Sequence, residues 1–145
     1  MYFVDRDSIE ETLIYLDKQI ELFKSYPDWT TDIEKAALER LTHTILEAIL
    51  DVGNMMIDGF IMRDPGSYED ILDILLDEQV ITSEVHQSLI QLIQFRKMTV
   101  QQYTRVDHAS LENAFTKEVS VLQAFSSKVR DYITNELGPV SAFKK

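Results

Sequence analysis

Gln94-Phe95-Arg96-Lys97-Met98-Thr99-Val100-Gln101-Gln102-Tyr103 is a basic segment in an acidic chain. No Asp or Glu occurs between Glu84 and Asp107, although the 145 residues hold 25 of them. Arg96, Lys97 and Arg105 therefore concentrate positive charge locally. The segment also closes a longer pattern. Val85, Leu89, Leu92, Ile93, Arg96, Val100 and Tyr103 share one face at helical spacing. They predict a continuous helix from Thr82 or Ser83 to about Tyr103, with Arg96 inside its apolar stripe. A guanidinium there must snorkel, pair with an acid, or line a polar pocket or interface, and pairing is the ordinary outcome.

The same periodicity runs outward in both directions. A first helix reads from about Asp7 to Ser25, with Ile9, Leu13, Leu16, Ile20 and Phe23 on one face. Asp7 with Glu10, or Ser8 with Glu11, is its expected reciprocal cap. The residue before Pro27 is pushed out of helical geometry, which ends it. A second helix reads from about Thr31 to Phe60, with Thr31 and Glu34 as a capping box. Its apolar residues cover more than one stripe, so it is the expected central helix, with Gly53-Asn54 as an interruption that favours close packing against a neighbour. Asp64-Pro65-Gly66 is a turn, and Ser67 caps a short third helix, Tyr68 to Asp77. A last helix starts at His108 to Ser110 and carries Leu111, Phe115, Val119, Leu122, Phe125, Val129, Tyr132 and Ile133 to a stop at Gly138-Pro139. No segment alternates in the manner of a strand. The expectation is an all-α fold: an antiparallel up-and-down bundle of four long helices plus one short one. It forms a single domain over 1–138, with a short tail at 139–145.

The chain contains no cysteine, which excludes disulfides, thiolate metal sites and a cysteine nucleophile. There is no signal-peptide pattern at the N-terminus and no apolar run of about 20 residues. A cytoplasmic protein with no membrane contact is expected. The net charge of −11 disfavours non-specific association with polyanions, although a local basic pocket can still hold a phosphate. Phosphate loops, His-Glu-x-x-His and calcium-loop patterns are missing. The three histidines, His43, His86 and His108, are dispersed, and His43 is read as a packed or partly exposed residue rather than a ligand. Asp51, Asp58, Asp70, Asp73 and Asp77 read as a solvated acidic face, and no metal or cofactor is expected.

Asp51-Val52-Gly53-Asn54-Met55-Met56-Ile57, then Pro65-Gly66-Ser67-Tyr68-Glu69-Asp70, then Val80-Ile81 and Phe95-Arg96 occur in an order that resembles the HepT-like group of HEPN-domain proteins. The resemblance implies an all-helical fold, a homodimer, and a cleft in which arginine holds phosphate and a histidine four to six residues later serves metal-independent RNA cleavage. It also implies a toxin–antitoxin setting, in which a nucleotidyltransferase antitoxin adenylylates a motif tyrosine in some members. The arginine falls on Arg96 and the tyrosine on Tyr103, but the histidine position falls on Gln101. Lys97 follows Arg96 where asparagine is typical. Glutamine orients a phosphate or hydroxyl but exchanges no proton near neutral pH. On a straight helix Arg96 and Gln101 stand about 140° apart, so one site holds both only through a bend or a shared dimer cleft.

Two readings follow. One is a homodimeric binding or regulatory module that engages RNA, a nucleotide or a protein partner through a degenerate Arg-x4-Gln-x-Tyr motif. The other is a metal-independent ribonuclease toxin paired with a nucleotidyltransferase antitoxin. The candidate site residues are Arg96, Gln101 and Tyr103 at the motif positions and Arg96, Lys97 and Arg105 for binding, with Tyr103 also a candidate for modification by the partner.

Overall fold

The computed structural model describes residues 2–138, and the tail expected at 139–145 lies outside them. The elements are α1 (Arg6–Ser25), α2 (Asp32–Gly59), α3 (Tyr68–Asp77), α4 (Ser83–Ile93), α5 (Phe95–Val100), a 3-10 turn (Tyr103–Arg105) and α6 (His108–Leu137). The fold is the expected helical bundle, and no strand occurs among the described residues. Central α2 packs on α1, α3, α5 and α6, while α4 packs on α3 and α6.

The start of each long helix is fixed by local chemistry. Thr31 Oγ1 accepts from the Glu34 amide, and the Glu34 carboxylate accepts from the Thr31 amide, which completes the capping box of α2. Ser67 caps α3 and Thr82 caps α4 in the same one-sided way. The cap of α1 differs from expectation. Asp5 performs it, accepting from the amide and hydroxyl of Ser8, so α1 begins at Arg6. The Asp5 carboxylate precedes the helix and can reach its first free amides, whereas Asp7 and Ser8 are already within the helix. Asp107 and Ser110 repeat this device at the start of α6.

The apolar faces meet in one core. Leu13, Leu16, Ile45, Met56, Leu92, Phe115 and Phe125 are buried to the last per cent or so. Removing such a side chain from water contributes about 1.5–3 kcal/mol each. Phe115 of α6 meets both Phe23 of α1 and Phe95 of α5 edge to face, with ring centroids 6.1 and 6.3 Å apart. Phe95 thereby anchors the short α5 to the core and fixes the direction of the residues that follow. Gly53 does not interrupt α2. A Cβ there would stand 2.5 Å from Ile71 Cγ2, so its glycine is the close-packing point between α2 and α3.

The fourth helix departs from the continuous segment expected. It is broken at Gln94, and regular geometry ends at Val100 rather than near Tyr103. Gln102 leaves the helical region with φ −108° and ψ 36°, and the chain tightens into the 3-10 turn. The apolar stripe holds through Ile93, but Val100 and Tyr103 face solvent because the turn carries them off the face.

Candidate functional site

Arg96 is the second residue of α5, and its side chain is about one-fifth exposed. Nε donates to Glu47 Oε2 on α2 at 2.6 Å, and the guanidinium lies 4.2 Å above the centre of the Tyr68 ring of α3. The arginine in the apolar stripe has therefore found an acid, the ordinary outcome, and a π face as well. The hydrogen bond to Glu47 raises the Arg96 pKa further. Arg96 keeps its other guanidinium nitrogens for additional acceptors.

Gln101 terminates α5 by donating its amide to the Lys97 carbonyl, and its side chain is exposed. Tyr103 begins the 3-10 turn and is 65% exposed. No hydrogen bond joins Arg96, Gln101 and Tyr103 among the described residues. The shared helix face expected for Arg96 and Tyr103 is lost with the helix end. Lys97 and Arg105 are exposed and form no ion pair among the described residues, so they are the uncompensated cations of this end of the molecule.

Sequence reasoning set His108 aside because it lies twelve residues beyond Arg96, past the helix end. The fold returns it to the same side of α2. Its Nε2 lies 2.7 Å from Glu39 Oε2, with both side chains partly exposed. Between Glu39 and Glu47, on the same face of α2, stands His43. Its Nδ1 is buried without a hydrogen-bond partner among the described residues, an arrangement worth roughly 1–3 kcal/mol of lost solvation. The sequence signal was available in the four-residue spacing of Glu39, His43 and Glu47, but it did not say which helix they would face.

On the α1 side of Glu47 the surface changes character. Glu11, Tyr15, Arg40 and Asp51 border a groove of about 420 Å³ there. Burial, with the neighbouring Glu47 charge, pushes the Asp51 carboxyl up. An anion is repelled from this acidic side and favoured on the side of Lys97 and Arg105. Elsewhere the acids have structural partners. Arg63 pairs with Asp70 and Asp77, Asp73 with His86, and Arg130 with Glu10 and Asp17.

A helical bundle with an arginine-bearing turn next to its central helix is the architecture of HEPN proteins. Solved HEPN toxins share it: a toxin–antitoxin complex with AMP-PNP superimposes with a TM-score of 0.69 at 15% identity, covering 84% of this chain and 95% of that one. A tri-AMPylated Shewanella oneidensis HEPN toxin in complex with its MNT antitoxin gives 0.71 at 14% identity, covering 86% and 95%.

Within that class the chain belongs to the ribonuclease HepT-like family, whose model matches residues 7–129. It is 51% identical over 144 residues to YutE of Bacillus subtilis (strain 168), which is named as a candidate RNase; the match covers 99% of this chain and 100% of YutE. The solved structure of YutE, described as a cytosolic protein of unknown function, superimposes with a TM-score of 0.94 over 99% of this chain and all of that one.

Proposed function

We propose that this HepT-like protein is a homodimeric module, one domain over 1–138, that engages single-stranded RNA through phosphate contacts from Arg96, Lys97 and Arg105. The observation that carries this is the acid-free exposed turn after α5, where two uncompensated cations flank an arginine held by Glu47. Arg96 fixes a phosphate, Lys97 and Arg105 supply charge, and Gln101 orients a hydroxyl or phosphate oxygen without exchanging its proton. The motif itself is thus degenerate and contributes binding. No metal or cofactor enters this scheme.

Fluorescence anisotropy with a labelled RNA oligonucleotide tests it, with Arg96→Ala and the double change Lys97→Ala, Arg105→Ala. Binding by the parent should weaken at least about tenfold in each, the scale of one to two lost charge-assisted contacts. A parent that binds no RNA overturns the reading. Light scattering at micromolar concentration tests the dimer, and a monomer mass counts against a shared cleft.

The second reading is a metal-independent ribonuclease, the toxin of a pair with a nucleotidyltransferase antitoxin. The observation that favours it is the His108–Glu39 pair beside the motif. The exposed hydroxyl-bearing Tyr103 suits adenylylation by such a partner, and the AMPylated Shewanella oneidensis toxin supports this by analogy. Incubation with a cognate nucleotidyltransferase and ATP should add AMP to the parent and not to Tyr103→Phe. A cytoplasmic setting is part of the proposal. It is supported by the description of YutE as cytosolic, and no described helix is long and apolar enough to cross a membrane.

A further inference from the structure

Glu39, His43 and Glu47 stand four residues apart on α2. They occupy an arc of about 80° and a rise of about 12 Å. Both ends of this row are clasped from the motif side of the molecule. Glu47 is held by Arg96 of α5 at 2.6 Å, and Glu39 is held by His108, the first residue of α6, at 2.7 Å. His43 sits between the two pairs, partly exposed, with its buried Nδ1 unpartnered. Neighbouring residues of such a row have Cβ atoms about 5–6 Å apart, so the His108 ring on Glu39 lies within about one helical turn of His43. The other His–carboxylate pair, His86–Asp73, joins α4 to α3 about 15 Å along the helix from Arg96.

We infer that His108, oriented by Glu39, and His43 are the proton-exchanging pair of this face, acting on single-stranded RNA held by Arg96, Lys97 and Arg105. This rests on the RNA reading above and supplies from α2 and α6 the chemistry that Gln101 cannot. His43, neutral, takes the proton of a ribose 2′-hydroxyl. The 2′-oxygen attacks the adjacent phosphorus, the bond from phosphorus to the 5′-oxygen breaks, and His108, protonated, gives its proton to that leaving oxygen. The products are a 2′,3′-cyclic phosphate and a 5′-hydroxyl. Nothing is oxidised or reduced, and no co-reactant is consumed. The Glu39 carboxylate stabilises the imidazolium of His108, which sets the acid role there. Arg96 opposes the charge that develops on the phosphoryl oxygens. The charged groups around the pair are Glu39 and Glu47 of α2, Arg96 and Lys97 of α5, and Arg105 of the turn, with Glu11 of α1 beyond Glu47.

The test is cleavage of an end-labelled single-stranded RNA in EDTA, with binding of its non-cleavable 2′-O-methyl analogue measured on the same preparations. The proteins are the parent, His108→Asn, His43→Gln, Glu39→Gln and, as control, His86→Asn. His108→Asn retains an N–H for Glu39, and circular dichroism verifies each fold. The expected result is parent cleavage to cyclic-phosphate ends, lowered about 10²–10⁴-fold in His108→Asn and His43→Gln. Binding should change less than about threefold, and His86→Asn should match the parent. Glu39 acts through His108, so Glu39→Gln should move the alkaline limb of the pH–rate profile to lower pH, which a purely structural role would not do. A parent that binds but leaves the RNA intact from about pH 5 to 9 overturns the inference alone, as does undiminished cleavage by His108→Asn. A parent that binds no RNA overturns the RNA reading, and the inference with it.

Discussion

At Arg96 two demands meet in one side chain. Its place in the apolar stripe draws the aliphatic stem inward, while the guanidinium requires a partner, and Glu47 and Tyr68 together meet that requirement. The same pairing offsets the charge that a phosphate would use. Glu47→Gln should therefore strengthen RNA binding roughly threefold to tenfold, read by anisotropy, with a stability loss below about 1 kcal/mol because both groups are partly exposed. Weaker binding in Glu47→Gln would mean instead that the carboxylate is needed to aim the arginine. That Arg96 would find an acid was legible from its position. Which acid was not, because Glu47 lies 49 residues away and only packing of α5 against α2 selects it.

At the scale of the helix, caps and close contacts carry the predictions. Backbone amides at the start of α2, Thr31 first, together with the Tyr26 hydroxyl, hold the Glu34 carboxyl down to about 2 from its ordinary 4.5. The folded-state pKa is depressed, so the stabilisation is present above about pH 4.5 and lost as pH falls towards 2. Acid unfolding followed by circular dichroism should accordingly show a shallower pH dependence over that window in Glu34→Gln. At Gly53 the added methyl of Gly53→Ala gains helix propensity of about 1 kcal/mol, yet overpacking against Ile71 costs about 1–3. Chemical denaturation should show a net loss on the order of 1 kcal/mol. The breaks in the fourth helix were illegible for a definite reason. Neither Gly nor Pro marks Gln94 or Gln101, and helix propensity there is ordinary. The return of the chain to the start of α6, capped by Asp107, ends the helix instead.

For the whole molecule, the net charge of −11 and the acid-free turn act against each other. Distant acids are screened within about 8–10 Å at physiological salt, whereas Lys97 and Arg105 touch the ligand directly. Binding should therefore fall with salt, with log K against log salt at a slope of about −0.7 for each phosphate contacted, close to −2 for three. The double change Lys97→Ala, Arg105→Ala should reduce the slope to below about −1. An unchanged slope would place the RNA on another face.

Much was fixed by the amino-acid sequence alone. Period-3.6 stripes in Ile9–Phe23, Leu111–Ile133 and Val85–Ile93, with cap residues at Thr31, Ser67 and Thr82, determine helices that can bury their apolar faces only against each other. The ordered motif segments determined the family. Local chemistry suffices there, because hydrogen-bonded turns and caps are set by residues within one or two turns of each other. Tertiary structure alone decided the composition of the site. It brought His108 to Glu39 and Arg96 to Glu47, placed His43 between them, and turned Gln101 and Tyr103 to solvent. These pairings span 69 and 49 residues, and helix periodicity states which residues share a face but not which face of another helix they will meet.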